Sequence, residues 1–249
     1  MQPETTPHES NSERTKSSIS IPAAIISGAV VIAIALIIVW GPKQKSADAP
    51  LEPTTRPAEI TSVPAAVAVI RANDRVRGDA TKAEVAIIEY SDSDCPFCTR
   101  FHTTMQQIST AYGDKVAWVY RYFPLTSLHP NAVTEAVALE CVAELGGADA
   151  FNNYLDTIIN VTLNPDPKSN EALTTFATGQ GIDKKLFESC MKGTAASDRV
   201  KADIAEAGEI GAQGTPFSIA VNLKTGEQII IPGAYPFADV KADIDSLLK

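Results

Sequence analysis

VAIIEYSDSDCPFC, at residues 85–98, places two cysteines directly after an apolar run. The run at 85–90 has the length and the β-branched content of a buried strand. Phe101, Met105 and Ile108 follow at helical spacing, so the two cysteines lie where a helix begins. Two cysteines separated by two residues can close a small disulfide and reopen it. The stretch therefore predicts a redox pair at a strand-to-helix turn.

Cys95 is the predicted nucleophile of this pair, and Cys98 is its partner. At a helix N-terminus Cys95 meets unpaired backbone N–H groups and the positive end of the helix dipole, and both stabilise a thiolate. Pro96 suits the first turn, because its missing N–H costs nothing there and its fixed φ fits a helix.

The rest of the folded part predicts an α/β protein. A second apolar run at 116–123 follows the first helix and completes a βαβ unit with parallel strands. Strand periodicity returns after 214–216. Helical patterns lie at 131–145, 148–159, 170–178, 184–191, 195–209 and 236–248, and the later strands at 217–221 and 228–231. The predicted order is βαβ, an inserted run of helices, then ββα in a mixed sheet.

An uncharged segment near the N-terminus predicts a membrane anchor. Residues 21–40 are 20 mostly aliphatic positions, and at about 1.5 Å per residue such a helix spans the roughly 30 Å of a bilayer core. A cleaved signal peptide is the alternative, with small residues at 47–49. The apolar segment is longer than such signals usually carry, and Pro50 follows the candidate cleavage site.

The predicted boundaries follow from this anchor. They are a cytoplasmic tail at 1–18, a transmembrane helix at 19–40, a spacer rich in proline and alanine at 41–66, and a folded domain at 67–249 with a helical insertion at about 126–211.

Charge and cysteine content constrain the partners and the compartment. The net charge is −9, and it is −8 without residues 1–40, which hold three acids and two bases. No basic cluster is present to neutralise phosphates, which argues against nucleic-acid binding. Four cysteines are an even set, and disulfides persist on the oxidising side of a membrane. We therefore expect a single-pass protein with a cytoplasmic N-terminus and an extracytoplasmic catalytic domain.

Cys141 and Cys190 lie in two different predicted helices, each on an apolar face with Leu145 or Leu186. They predict a structural disulfide, and two buried free thiols are the alternative. A zinc site of all four sulfurs is a weaker alternative, because structural zinc usually uses two closely spaced ligand pairs. No metal or cofactor is expected.

Two histidines lie in the folded part. His102 follows Cys98 by four residues and either tunes the redox pair or lies on the helix surface. His129 precedes Pro130 where a helix begins, and a structural role is predicted for it.

Together these residues resemble the bacterial DsbA-like thiol-disulfide oxidoreductases of the thioredoxin superfamily, including membrane-anchored forms. The resemblance runs from about residue 70 to 249. Its motifs are VRGD at 76–79, CPFC at 95–98, LHPN at 128–131, GTP at 214–216 and PGAY at 232–235. It implies a thioredoxin fold interrupted by a helical subdomain, the order already given by the periodicity.

The resemblance also implies roles for single residues. Cys95 is implied to be the exposed attacking cysteine and Cys98 the buried resolving one. Thr215 and Pro216 resemble the cis-proline pair that lies beside the active site and binds the substrate chain. Glu89 matches an acid beneath the site that relays protons for Cys98, whereas the plainer alternative is a strand-end acid facing solvent.

The implied activity is the introduction of disulfides into reduced, unfolded secreted proteins, with reoxidation by a membrane quinone-linked thiol oxidase. Phe97 stands where strongly oxidising relatives have histidine, so we expect a potential between about −120 and about −270 mV. Reductase or isomerase activity is therefore an alternative. A further alternative is an anchored peptide-binding or holdase module without catalysis.

Overall fold

The computed structural model of this chain describes residues 62–161 and 168–249. The predicted tail, the predicted membrane helix and most of the predicted spacer lie outside these residues. Within them, no helix has both the length and the hydropathy needed to cross a membrane.

A five-stranded mixed sheet forms the centre of the fold. Its strand order is β1-β3-β2-β4-β5. The two central strands β2 and β3 are parallel, and the other pairs are antiparallel. The strands are β1 at Arg75–Arg77, β2 at Val85–Ser91, β3 at Val116–Tyr122, β4 at Phe217–Asn222 and β5 at Gln228–Ile231. The predicted βαβ and ββα halves are thereby confirmed.

The edge strand β1 is an addition to the sequence prediction. It has three half-buried residues and pairs with β3. A strand this short, with arginine at both ends, gives no hydrophobic alternation, and charged residues are typical of sheet edges.

Six α-helices and one 3₁₀ turn are described. They are α1 at Pro96–Tyr112, the 3₁₀ turn at Gly113–Lys115, α2 at Ala132–Val161, α3 at Asn170–Gly179, α4 at Lys184–Lys192, α5 at Ala195–Glu209 and α6 at Phe237–Leu247. The span of α2 contains the two helices predicted at 131–145 and 148–159, separated by a kink where the backbone is not helical. Gly147 forms the kink with a φ of 76°, a conformation that glycine adopts without steric cost.

The apolar side chains pack in three clusters. Helices α1 and α6 cover one face of the sheet, where Phe101 and Ile244 pack against Ile87. The other face is covered by residues 63–68 and the residues that follow α5. The inserted helices form their own core, which includes Tyr120 and Tyr122 from the carboxyl end of β3. The insertion is therefore seated at the end of the sheet to which β2 and β3 point.

A disulfide joins two helices of the insertion. Cys141 of α2 and Cys190 of α4 have their sulfur atoms 2.02 Å apart. The predicted apolar face through Leu186 is wrong, since Leu186 is 58% exposed and its neighbour Phe187 is buried instead. Phe187 is the one buried residue of this nine-residue helix, and a single buried position leaves no periodic pattern from which to choose between adjacent apolar residues.

Arg121 of β3 is fully buried on the sheet face opposite α1. Its guanidinium donates to Asp74 at 2.9 Å and lies 3.3 Å from Glu206 of α5. It also donates to the carbonyl oxygens of residues 67 and 69 at 2.9 and 2.8 Å. These bonds satisfy a buried charge and hold residues 67–74 against the sheet.

Asp74→Asn tests the strength of this ion pair. Burial would raise the pKa of Asp74, but the hydrogen bonds and charge of Arg121 outweigh it and lower the pKa below the ordinary 3.8. The stabilisation is therefore present above pH 3.8 and is lost as the pH falls through the lower folded pKa. At pH 7 the variant should lose roughly 3–5 kcal/mol of unfolding free energy in urea.

The difference between variant and wild type should shrink as the pH falls towards 3. Asp114→Asn is the control, because Asp114 pairs with Lys82 where both side chains are more than half exposed. The control should leave the urea midpoint unchanged. Equal losses from both substitutions at pH 7 would contradict the ion-pair interpretation.

Candidate active site

Cys95 is the N-cap residue of α1, and Pro96 is the first residue of the helix. Its backbone is extended, with φ −83° and ψ 123°. The carbonyl oxygen of Asp92 accepts the Cys95 N–H at 3.1 Å, and the Cys95 carbonyl accepts the Thr99 N–H at 3.0 Å. This turn places the Cys95 side chain at the N-terminus of α1, the positive end of the helix dipole.

Both redox cysteines are free thiols with very little accessible surface. Cys95 is 4% exposed and Cys98 is fully buried. The order of exposure agrees with the implied roles, but the expectation of an openly exposed Cys95 is wrong. The Cys95 sulfur faces the backbone of the Thr215 loop, with the Thr215 carbonyl oxygen 3.6 Å away. Phe97, between the cysteines, is 55% exposed instead.

The Cys95 thiol is strongly acidic. A hydrogen bond from Cys98 is the largest cause that lowers the pKa of Cys95 to about 5, against the opposing effect of burial. Thr215 and the backbone N–H groups of Cys98 and Phe97 lower it further. Cys95 is therefore a thiolate at neutral pH, the form that attacks and leaves in disulfide exchange.

Cys98 is affected in the opposite direction. Burial raises the pKa of Cys98 well above its usual range, and Cys95 and the charge of Glu89 raise it further. Cys98 stays a neutral thiol at neutral pH, so its reaction as a nucleophile requires a base nearby.

Glu89 supplies such a base beneath the cysteines. It is 1% exposed in the centre of β2, and its Oε2 accepts a hydrogen bond from Trp118 Nε1 at 2.8 Å. Burial raises the pKa of Glu89 to about 7, while Ser91 and Trp118 oppose the shift. The alternative of a solvent-facing acid is wrong. A carboxyl with this pKa can give or take a proton at neutral pH.

Thr215 and Pro216 lie directly before β4, joined by a cis peptide bond. The sequence alone predicted only a turn here, and the resemblance supplied the cis geometry. The loop brings the Thr215 carbonyl oxygen to within 3.6 Å of the Cys95 sulfur.

His102 is buried and does not lie on the helix surface. It is 3% exposed, and its Nε2 is 2.7 Å from Asp156 Oδ1. Its ring centroid is 5.0 Å from that of Trp118, the residue that donates to Glu89. His102 is therefore connected to the redox pair through Trp118 and Glu89.

Asp92 was missed as a site residue by sequence reasoning. It is 1% exposed, and its Oδ2 lies 2.8 Å from His129 Nδ1 and accepts the Leu125 N–H at 2.8 Å. Its Oδ1 accepts the Asp94 N–H at 2.8 Å. The polar run SDSD at 91–94 predicts a loop, and the available signal was a carboxylate three residues before Cys95.

A second buried group next to the cysteines was also missed. The Lys168 Nζ, almost fully buried, donates to Glu135 Oε2 at 2.7 Å and to the Ser93 carbonyl at 3.1 Å. It also lies 3.3 Å from Asp94. Lysine is rarely buried, so sequence composition places it on the surface. These contacts attach the insertion to the loop that precedes Cys95.

No group of three or more histidine, cysteine, aspartate or glutamate side chains suited to a metal ion occurs among residues 62–161 and 168–249. Two of the four sulfurs of the zinc alternative are bonded to each other.

Residues 71–229 match the protein family described as thioredoxin. The chain belongs to the thioredoxin family. The crystal structure of DsbA2 from Pseudomonas aeruginosa is 26% identical and superposes with a TM-score of 0.58, covering 70% of this chain and 94% of that one. The α-DsbA1 structure from Wolbachia pipientis, at 20% identity, shares the fold with a TM-score of 0.64, covering 74% and 94%.

These comparisons confirm the DsbA-like thioredoxin fold with an inserted helical region, and they support thiol-disulfide exchange in general. A curated relative is the Na⁺/H⁺ antiporter NhaA 1 of Mycobacterium sp. (strain KMS). It is 28% identical over 145 residues, and these residues are 57% of the present chain. The match covers 22% of that relative. The chain thus spans about a fifth of the length of the first curated relatives it matches.

Glu89→Gln tests the buried acid. The folded pKa, about 7, lies above the ordinary 4.5, so the stability linked to the neutral carboxyl is complete below pH 4.5 and is lost as the pH rises through 7. Glutamine cannot ionise. In the oxidised chain, the stability of the variant relative to wild type should therefore increase by roughly 2–3 kcal/mol between pH 4 and pH 8 in urea unfolding.

Glu84→Gln is the matched control, since Glu84 is partly exposed just before the same strand. Its stability difference from wild type should not change over this pH range. Parallel pH curves for Glu89→Gln and wild type would show that Glu89 is not a neutral acid in the folded protein.

Proposed function

We propose that this chain is an extracytoplasmic protein disulfide oxidoreductase that introduces disulfides into reduced, unfolded secreted or envelope proteins. The observation that carries the proposal is the difference between the two thiols. Cys95 has its pKa lowered to about 5, whereas burial raises that of Cys98 well above the usual range. This difference assigns attack and departure to Cys95 and resolution to Cys98.

In the first step a substrate thiolate attacks the Cys95 sulfur of the oxidised pair. The substrate–Cys95 bond forms, the Cys95–Cys98 bond breaks, and Cys98 leaves with the electron pair. Because the Cys98 thiolate is unfavourable in its buried position, it takes a proton. Glu89, with a pKa of about 7, is the group that supplies it.

In the second step another thiolate of the substrate attacks the substrate sulfur of the mixed disulfide. The substrate disulfide forms, and Cys95 leaves as a stable thiolate. Two electrons have moved from the substrate to the enzyme, which is left reduced. A low pKa of the leaving thiol speeds this step and favours the reduced enzyme, which makes the pair oxidising.

If Cys95 instead becomes trapped with a wrong substrate, Cys98 must attack it and release the chain. The same Glu89 then accepts the Cys98 proton. Thr215 and Pro216 supply the backbone over which the substrate segment lies, since the Thr215 carbonyl is the group 3.6 Å from the Cys95 sulfur.

The compartment and partners belong to the same proposal. The Cys141–Cys190 bond is of the kind that persists in oxidising compartments. The predicted anchor at 19–40 would hold the catalytic domain at the outer face of the membrane, next to a quinone-linked thiol oxidase that reoxidises it. Nucleic acid is not a proposed partner.

Phe97 favours a second candidate, a reductase or isomerase of the same fold. Its side chain is exposed and carries no charge to stabilise the Cys95 thiolate. A higher cost for the reduced form makes a pair less oxidising.

Paired serine variants test the roles of the two thiols. Cys95→Ser should abolish oxidative refolding of a reduced protein, because the attacking sulfur is lost. Cys98→Ser, mixed with a disulfide-bonded protein, should accumulate a mixed disulfide, because the Cys95 thiolate attacks one sulfur of that bond, displaces the other as a thiolate, and no Cys98 remains to release the chain. The product is visible as a reductant-sensitive mass increase on non-reducing gels. Refolding activity retained by Cys95→Ser would favour the non-catalytic holdase instead.

A glutathione redox titration distinguishes the oxidase from the reductase. We expect a potential between about −120 and about −270 mV, and Phe97→His should raise it because an added positive charge stabilises the thiolate. Phe97→Leu, uncharged and apolar, is the control and should stay near the wild-type value. A wild-type potential at or below about −270 mV would assign the chain to the reductases.

A further inference from the structure

The residue next to Cys98 in the redox motif is Phe97, which carries no positive charge. A histidine from another part of the chain, His129, lies close to the same turn. The ring of His129 lies with Nδ1 2.8 Å from Asp92 Oδ2. The backbone carbonyl of Asp92 accepts the Cys95 N–H at 3.1 Å. One residue therefore holds both the His129 ring and the backbone of the reacting cysteine.

Asp92 is a rigid support for this ring. It is 1% exposed, and its two carboxylate oxygens accept the backbone N–H groups of Leu125 and Asp94, each at 2.8 Å. A carboxylate fixed in this way selects the His129 form that carries a proton on Nδ1 and fixes the ring orientation. The His129 side chain is 17% exposed, so its proton can exchange with solvent.

Asp92 contacts the His129 ring directly, and Asp94 and Cys95 follow Asp92 in the same turn, in which the Asp92 carbonyl oxygen accepts the Cys95 N–H. Burial alone would lower the pKa of His129, but the bond and charge of Asp92 and the charges of Cys95 and Asp94 outweigh it and raise the pKa above 6.5. Lys168 lies 3.3 Å from Asp94 and offsets part of the charge of that carboxylate.

Coupling between two sites is reciprocal. If a thiolate at Cys95 favours protonation of His129, then protonated His129 favours the thiolate by the same free energy. We propose that His129, oriented by Asp92, is the positive charge that stabilises the Cys95 thiolate in this chain. This inference rests on the proposed function. His129 acts on the Cys95 thiolate through its charge, and Asp92 is the positioning residue that orients the ring.

The redox consequence is an additional proton. Two-electron reduction of the Cys95–Cys98 disulfide by glutathione breaks the S–S bond, leaves Cys95 as a thiolate and adds one proton at Cys98. Where His129 is neutral beside the disulfide but protonated beside the thiolate, a second proton adds at His129. Over that pH range the proton released by glutathione is taken up by His129, so the equilibrium constant with glutathione loses the roughly tenfold rise per pH unit that it shows outside the range.

The test is titration of the Cys95 thiolate by its ultraviolet absorbance in the reduced full chain. His129→Asn removes the charge while its amide can still donate to Asp92. The variant should raise the pKa of Cys95 by about one unit. At pH values below that pKa, the fraction of Cys95 present as thiolate should then fall about tenfold. His8→Asn, the same substitution outside the described residues, is the control and should change nothing.

A second measurement needs no variant at His129. Nuclear magnetic resonance should show a higher His129 pKa in the reduced wild-type chain than in Cys95→Ser, by the same amount as the Cys95 shift. An unchanged Cys95 pKa in a folded His129→Asn, or an unchanged His129 pKa in Cys95→Ser, overturns the inference. A wild-type Cys95 that titrates at its ordinary value overturns the proposed function instead.

Discussion

The first turn of α1 is the constraint on which the chemistry depends, because it places two identical thiols in unlike surroundings. Cys95 is the N-cap residue of the helix, where the backbone N–H groups of Phe97 and Cys98 help to lower its pKa. Cys98, three residues further, turns inward to the sheet face that carries Glu89. The strand before the turn and the loop before β4 fix the two sides of this arrangement.

Burial alone does not decide how an acid behaves in this fold, as two carboxylates near the sheet show. Asp74 has a guanidinium partner, and Arg121 lowers its pKa despite the cost of desolvation. Glu89 has an indole N–H at 2.8 Å and a serine nearby, so burial dominates and its pKa rises to about 7. The fully paired acid is a structural element, whereas the incompletely compensated one can exchange protons. Glu89 lowers the stability of the fold above neutral pH, because its buried carboxyl is then ionised. A destabilising ionisable group of this kind is typical of functional sites.

Periodicity was enough to predict β2, α1 and β3, because each has a regular apolar pattern that this fold buries. It failed for β1, whose three residues form a strand only through pairing with β3. It also failed to choose Phe187 over Leu186, since both are apolar and adjacent. The low exposure of Cys95 depends on a loop 120 residues away, and no local pattern reports such a contact. Glu89 was found only through the resemblance, because a single acid in a strand has no signature of its own.

The inserted helices do more than enlarge the domain, because they hold the loop that leads into Cys95. Asp92 bonds His129 and the backbone of Leu125, and Ser93 bonds Glu135 of α2. Lys168 reaches both Ser93 and Asp94. Each residue from 92 to 94 is therefore attached to the segment that follows β3. A change in the position of the insertion would therefore move the loop at residues 92–94, and with it the surroundings that set the pKa of Cys95. The disulfide between α2 and α4 thus stabilises a subdomain on which the geometry of the other cysteine pair depends.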